Sequence, residues 1–259
     1  MADPALYASP VMGVREDDCY FYHVMDVPGH DAVGGQFDLR GREDEYLGNI
    51  ELAGTRVLEI GPASGFLSFH MESKGARVVA VELAPDVDWD IVPQAGLDLA
   101  KIRADRRAIM RQLRNGFWWA HERAGSAVQV HYGDVYSLPD ELGGFDIAVM
   151  AAVLRHTRHP LQVVEECALR ADRLVIAEMH MPELDDEPVA RLVPARESGT
   201  WDTWWDFSPG FLARFLGVLG FGQISVTHHG QRYLADEEPR SVPFFTLVAE
   251  ADGGHAERA

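Results

Sequence analysis

The chain has little with which to build a covalent framework or to hold a polyanion. Its 259 residues contain two cysteines, Cys19 and Cys167, too few for a disulfide scaffold. Cys167 lies among Val163, Val164 and Leu169 in a helix-like stretch, where a small buried thiol is expected. Positive charge is scarce: 23 Lys and Arg face 41 Asp and Glu, a formal net charge of −18 that repels phosphate backbones and disfavours nucleic acid as a partner. The densest basic stretch, Arg103, Arg106, Arg107, Arg111 and Arg114, reads as the solvated face of a helix. No apolar run is long enough to span a bilayer, and the first ten residues offer neither the basic flank nor the apolar core of a secretory signal. A cytoplasmic protein without membrane contact is therefore expected. No Asp, His or Cys cluster shows metal-ligand spacing, so no metal is expected.

What is present is ordinary for a globular protein, with 47% hydrophobic and 25% charged residues, enough for one large α/β domain. The organising stretch is 56–65, RVLEIGPASG. Its first five residues form an apolar run bounded by turn residues and read as a buried strand. Gly61 and Gly65 then bracket Pro62-Ala63-Ser64, and 66–74 returns with helical spacing. A turn without bulky side chains lets backbone N–H groups and a helix N-terminus approach a ligand closely. A second strand, 77–82, ends at Glu82, where a Rossmann-type crossover places an acid against ribose hydroxyls. The ligand should be a nucleoside. The full G-x-G-x-x-G pattern of a dinucleotide site is missing, and the turn reads E-x-G-x-x-x-G from Glu59.

Further strands are expected at 128–132, 145–150 and 173–179, with helices at 97–123 and 161–171 between them. The aromatics Phe117, Trp118 and Trp119 of the first helix read as core. Strands alternating with helices imply a doubly wound, mostly parallel sheet with helices on both faces and the ligand at the strand carboxyl ends. Residues 181–206 exceed the usual connection length, and Trp201, Trp204 and Trp205 argue that they are ordered. Ser208 caps a helix over 209–219, strands at 223–227 and 243–249 close the sheet, and the polar tail frays. The expected division is an aromatic-rich N-terminal cap over 1–55, a ligand-binding domain over 56–250 and a tail over 251–259.

The segment Glu59-Ile60-Gly61-Pro62-Ala63-Ser64-Gly65, with Glu82, Gly133-Asp134-Val135 and Phe145-Asp146, resembles the class I S-adenosylmethionine-dependent methyltransferases. The resemblance runs over roughly 57–249 and implies a Rossmann-like sheet of seven strands with the last antiparallel. By that match S-adenosyl-L-methionine is the cofactor, the turn residues Glu59, Gly61, Ala63 and Gly65 surround its methionine and ribose, Glu82 binds the ribose, and Asp134 and Val135 meet the adenine. Ala63 stands where the family's turn has a third glycine. The spacing of Leu154-Arg155-His156 and Arg158-His159-Pro160 also resembles the catalytic domain of the bacterial tRNA wobble-uridine carboxymethyltransferases and their relatives in natural-product pathways.

Methyl transfer needs alignment of nucleophile and methyl group, and a base where the acceptor is a hydroxyl or protonated amine. His156, after the fourth strand and near Ala151 at the cofactor edge, reads equally as base or as a histidine holding its loop. His23 and Tyr22 of the cap are further catalytic candidates, although a packed histidine is the commoner outcome. Tyr20 and Tyr22 could lie over a cation, and Arg40 could hold the cofactor carboxylate or merely steer the Asp38 turn. Arg155, Trp204, Trp205 and Phe207 are candidate substrate contacts, with packing of the loop onto the sheet as the alternative. The function expected is methylation of oxygen or nitrogen on a small molecule, in secondary metabolism, by a monomer or homodimer. Other attack on the sulfonium (intramolecular cyclisation, or aminocarboxypropyl transfer releasing methylthioadenosine), a cofactor-binding protein without turnover, and RNA modification remain alternatives.

Overall fold

The computed structural model describes residues 6–196 and 198–253. Ten strands fall in chain order: β1 Phe37–Asp38, β2 Arg56–Ile60, β3 Arg77–Leu83, β4 Gln129–Gly133, β5 Phe145–Ala151, β6 Ala171–Met179, β7 Ala190–Leu192, β8 Trp205–Phe207, β9 Phe221–Tyr233 and β10 Arg240–Ala251. Among the described residues five α-helices accompany them: α1 Glu43–Tyr46, α2 Phe66–Ser73, α3 Leu99–Ala124, α4 Pro160–Ala168 and α5 Pro209–Val218. The main sheet runs β4-β3-β2-β5-β6-β10-β9-β1. From β4 to β6 the strands are parallel, and β10 lies antiparallel to both β6 and β9. The chain leaves β2 toward β3 and β4, then returns to β5 on the opposite side of β2. That reversal opens a crevice above the carboxyl ends of β2 and β5.

Alternation along the central strands explains the layers. Val57, Val78, Ala80, Ile147, Val149 and Val175 face α2, α3 and the N-terminal segment, where Met71, Phe117, Trp118 and Trp119 are buried against them. Leu58, Ile60, Val79, Ala148, Met150, Leu174 and Ile176 face the other way onto Val163, Val164 and Cys167 of α4 and Leu212 and Leu216 of α5. Strands covered on both faces read as continuous apolar runs, which is why the sequence located them. Among the described residues no helix is long and apolar enough to cross a membrane.

Three expectations change. The sheet has eight strands rather than seven, because Phe37 and Asp38 of the N-terminal segment pair with Tyr233 and Arg232 at the far end of β9. The last two strands are about twice as long as their apolar patterns suggested, since the polar run His228-His229-Gly230-Gln231-Arg232 continues β9 beneath that segment. The expected frayed tail begins in order: Ala251 ends β10 and the Asp252 N–H donates to the Gly220 carbonyl at 3.0 Å. Residues 254–259 lie outside the described residues. The described part of the long tryptophan-bearing connection carries the β7–β8 hairpin.

The N-terminal segment lies against the helical layer. The Tyr20 N–H donates to Gln112 O on α3 at 2.9 Å, and the Tyr22 N–H to the Ser64 hydroxyl in the turn after β2 at 3.2 Å. In that turn Gly65 has φ 89° and begins α2, where a Cβ would lie 2.5 Å from the Phe69 ring and 2.9 Å from Phe117. Gly65→Ala should therefore cost about 2–4 kcal/mol, combining left-handed strain with overpacking. Ala63, at φ 52°, already bears left-handed strain, so Ala63→Gly should change stability by less than about 1 kcal/mol, strain relief offsetting the glycine's entropy. Urea unfolding of both variants checks the contrast, and equal losses would contradict it.

Candidate functional site

The crevice is an open cavity, with about 930 Å³ of space when the volume open to solvent at its mouth is included. Its floor is Glu59 at the end of β2 and the turn Gly61-Pro62-Ala63; Ala151, Ala152 and Val153 follow from β5. Glu82 closes one side together with Arg106, Met110 and Leu113 of α3, and Trp89 from the connection ahead of α3. The N-terminal segment adds Tyr22, His23, Phe37, Leu39 and Tyr46, and β9 and β10 add Gln231 and Phe244. Ala63 and Ala152, both in left-handed conformation at φ 52° and 54°, keep the floor free of long side chains. A Cβ on Gly61 would come within 3.1 Å of Val153.

Burial sets the electrostatics. Glu59 is 2% exposed, and desolvation raises its carboxyl to about 7 despite the hydrogen bond donated by Ser68. Glu82 is also raised by burial, an effect opposed by the Leu83 N–H at 2.7 Å and by Arg114 and Arg106. His23 is pushed down to about 4 by burial, and so is His156. His156 Nδ1 lies against the Asp202 carbonyl, which can only accept; the neutral ring must donate there and keep Nε2 as its acceptor. Burial holds the Tyr22 phenol up at about 12, so it stays protonated.

Four buried polar atoms on these walls have no protein partner: His23 Nδ1, Trp89 Nε1, Arg106 Nε and Gln231 Oε1. Buried polar groups are nearly always satisfied, and a concentration of exceptions around one opening marks a place where a ligand completes them. Arg106 is stacked on Trp89, its guanidinium carbon 3.6 Å from the ring centroid, and Trp89 leans on His156 at 5.3 Å. The basic stretch on α3 is thus split: Arg103 and Arg107 pair with Asp88 at the surface, whereas Arg106 turns inward.

Of the residues singled out in the sequence, Tyr22, His23, Glu59, Gly61, Ala63, Glu82, Ala151 and His156 meet on the cavity walls. The others stand outside them. Arg40 is taken up by Asp38 at 2.9 Å and Asp26 at 2.8 Å, because the turn after β1 folds its fork back onto those carboxylates. Gly65 packs α2 against α3. Asp134 caps its own turn, accepting from the Tyr136 N–H at 2.9 Å, and Val135 packs on the α4 and α5 side of the sheet. Tyr20 hangs on α3 through its backbone.

Arg155 points to Asp206 at 3.3 Å, and Arg191 meets the same carboxylate at 2.8 Å, so these pairs lock the hairpin under the sheet edge. Phe207 is 1% exposed in the core and stacks on Phe211. Trp204 donates from its indole to Asp90 O at 2.6 Å and carries Arg158 over its ring, while Trp205 donates to Arg158 O at 3.4 Å. Packing of this loop, the alternative weighed above, describes all three aromatics. Sequence reasoning missed Trp89, Arg106, Tyr46, Gln231 and Phe244. Only Arg106 carried a signal there, and its neighbours made it look solvated.

His180, Asp185 and His228 also converge, with one ligand atom from each within 4.8 Å of the others. His180 Nε2 lies 2.9 Å from Asp185, and its ring packs on His228 at 4.4 Å. Sequence spacing hid this group because His228 comes from β9.

No family model matches the chain. Among curated proteins it is similar to the ubiquinone biosynthesis O-methyltransferase of Xanthomonas oryzae pv. oryzae, 30% identical over 146 residues, or 53% of this chain and 49% of that protein. The corresponding Xanthomonas euvesicatoria pv. vesicatoria protein is 32% identical over the same length. The chain spans about half the length of the curated relatives it matches. Among solved structures it is similar to the N-terminal domain of EvdMO1 with SAH bound, with TM-score 0.53, 20% identity and 82% of each chain covered. A structure described for the conversion of a disulfide bond into a thioacetal group during echinomycin biosynthesis gives TM-score 0.53 at 14% identity, covering 80% of this chain and 81% of that one. The fold is therefore the Rossmann-like α/β fold of methyltransferases, with antiparallel strands at one end of its sheet.

The buried carboxyl predicts a stability signature. Because folding raises Glu59, the folded chain holds a proton that the unfolded chain releases between about pH 4.5 and 7, and stability from this group falls as pH rises through that window. Glu59→Gln removes the penalty. The melting temperature of the variant relative to the parent should climb from pH 4.5 to 7 and level off above; a pH-independent difference would remove the assignment.

Proposed function

We propose that this protein is an S-adenosylmethionine-dependent methyltransferase that methylates oxygen or nitrogen on a small acceptor held in the cavity. One observation carries the reading: an open cavity lies at the reversal between β2 and β5, floored by a small-residue turn, with Glu59 and Glu82 lining it and neutral His156 beside Ala152 and Val153. The residues fit the cofactor on independent grounds. The Ala63 and Ala152 floor admits close approach, and the unpartnered Trp89 and Arg106 donors await polar atoms. S-adenosylhomocysteine in the EvdMO1 domain and the O-methyltransferase name of the Xanthomonas relatives support the same direction.

In this reading Gly61 and Ala63 bring backbone against the methionine and ribose portions, and Glu82 accepts from the ribose hydroxyls. When bound, the cofactor supplies an electrophilic methyl group on sulfur. The acceptor atom would take that methyl group, the electron pair of the carbon–sulfur bond would stay with sulfur, and the acceptor's proton would need a base among the chain's own residues. His156, whose Nε2 is left as an acceptor, would take a hydrogen bond from the acceptor and receive that proton. Held near 4, the ring orients the nucleophile more than it pulls on the proton. His23 and Tyr22 border the same space as orienting groups.

The acidic surface and the aromatic walls favour a compact organic acceptor over RNA, and secondary metabolism is the proposed setting. Kinship with the tRNA wobble-uridine group rests on the Leu154-Arg155-His156 stretch, of which Arg155 is engaged with Asp206. We place the activity in the cytoplasm as a monomer or homodimer.

Incubation with S-adenosylmethionine and an acceptor library should release S-adenosylhomocysteine; methylthioadenosine as the product would overturn methyl transfer in favour of aminocarboxypropyl or cyclisation chemistry. Glu82→Ala should weaken S-adenosylhomocysteine binding by about 1–3 kcal/mol in calorimetry, through lost charge-assisted hydrogen bonds. His156→Gln should leave that affinity intact and slow turnover. With His156 present, protonation of its ring should add to kcat/KM a loss near pH 4, below the usual histidine range and separate from the titration of Glu59 near 7, and His156→Gln should abolish that lower step alone. An unchanged profile in the variant would take His156 out of the mechanism.

A further inference from the structure

The wall beneath the N-terminal segment is built differently from the floor. It carries a hydrogen-bond chain whose direction is fixed at one end. The Tyr46 carbonyl can only accept, so the Thr246 hydroxyl donates its single hydrogen there, at 2.7 Å. Thr246 Oγ1, 2.8 Å from His229 Nε2, is then left to accept, and the ring must carry its proton on Nε2. Burial keeps His229 neutral by lowering its pKa, so Nδ1 is an acceptor. Gln231, 2.6 Å away, has to present its NH2 to that nitrogen. Its amide is consequently locked with Oε1 turned from the chain, and that oxygen is buried and unpartnered in a residue that is 1% exposed and lines the cavity. His229 is held in place by stacking on Phe244 with the rings 13° apart.

An acceptor locked in this manner leaves room for one kind of partner, a ligand hydrogen-bond donor. The surroundings add the rest: Tyr22, Phe37, Tyr46 and Phe244 supply aromatic surface and Leu39 aliphatic surface, with no charged side chain among them. The geometry points to an acceptor subsite for hydroxylated aromatic molecules, in which Gln231 Oε1 accepts from a ring hydroxyl and fixes which edge of the ring enters. This deepens, and rests on, the methyltransferase reading above. A site built to bond a hydroxyl discriminates strongly against the analogue without one, because the buried oxygen is then left unpaired.

The test uses 2-naphthol and the near-isosteric 2-methylnaphthalene as probes, titrated by fluorescence into the full chain with and without S-adenosylhomocysteine. The parent should bind 2-naphthol at least about tenfold more tightly than 2-methylnaphthalene. In Gln231→Leu the ratio should fall to within about twofold while S-adenosylhomocysteine affinity is kept. His229→Phe keeps an aromatic ring against Phe244 but frees the amide to turn; it should lose most of the discrimination, independently of whether Gln231→Leu folds. Equal affinities in the parent, no binding of either probe, or an unchanged ratio in the variants would overturn the subsite. Loss of S-adenosylhomocysteine binding in the parent with discrimination retained would instead overturn the cofactor reading and leave the subsite standing.

Discussion

The structure depends on a tight change of direction directly after a strand covered on both faces. β2 is flanked by β3 and β5, and Gly61 must leave it within reach of Val153 while its N–H still donates to Val81 O at 2.9 Å. A Cβ there would press on Val153 at 3.1 Å from a backbone already at φ 73°, and the Gly65 N–H closes the turn onto Pro62 O at 2.8 Å. With that bend in place, α2 is launched across one face, the ends of β2 and β5 splay apart, and a cavity follows as a geometric consequence. Ala63 and Ala152 retain left-handed backbone on either side of the gap, a local strain held by the surrounding packing and concentrated at the place where close approach is useful.

Around this bend the protein suppresses charge. Glu59 and Glu178 are both raised to about 7 by burial, and His23 and His156 are both held near 4. Each shift moves a group toward its neutral form, as desolvation requires. Such an interior suits a cationic ligand: its arrival would favour the ionised carboxyl at Glu59, whereas an anion would meet resistance from the same wall. Arg106 is the exception, and its guanidinium is flattened on Trp89, which shields its face and leaves its edge to the cavity.

How much was legible in the sequence follows from how each feature is encoded. β2 to β6 announced themselves as apolar runs because both sheet faces are covered, and the turn after β2 because its residues must be small. Glu82 stood out as an acid at a strand end and Glu59 through the resemblance of its turn, and both line the cavity. The wall formed by Tyr46, Gln231 and Phe244 was not legible, since it unites segments some 200 positions apart and Gln231 sits in a polar run that resembles a loop end. Arg40, Arg155 and Phe207 stand away from the cavity for the opposite reason. Their residue types suit binding, but Asp38, Asp206 and the apolar layer beneath α5 compete for them, and sequence spacing does not reveal such partners.

The two-residue strand Phe37–Asp38 does more than add to the count. It seals the outermost ladder of β9 near Tyr233, and the aromatic contact between Phe37 and Tyr233 at 4.9 Å covers the join. The roof of the cavity and the hem of the sheet are thus one piece of chain. Peeling it back would bare the backbone groups of Arg232 and Tyr233 beside aromatic surface and lengthen the unpaired edge of β9. The far end of the sheet edge and the lining of the cavity are therefore tied to the same short segment.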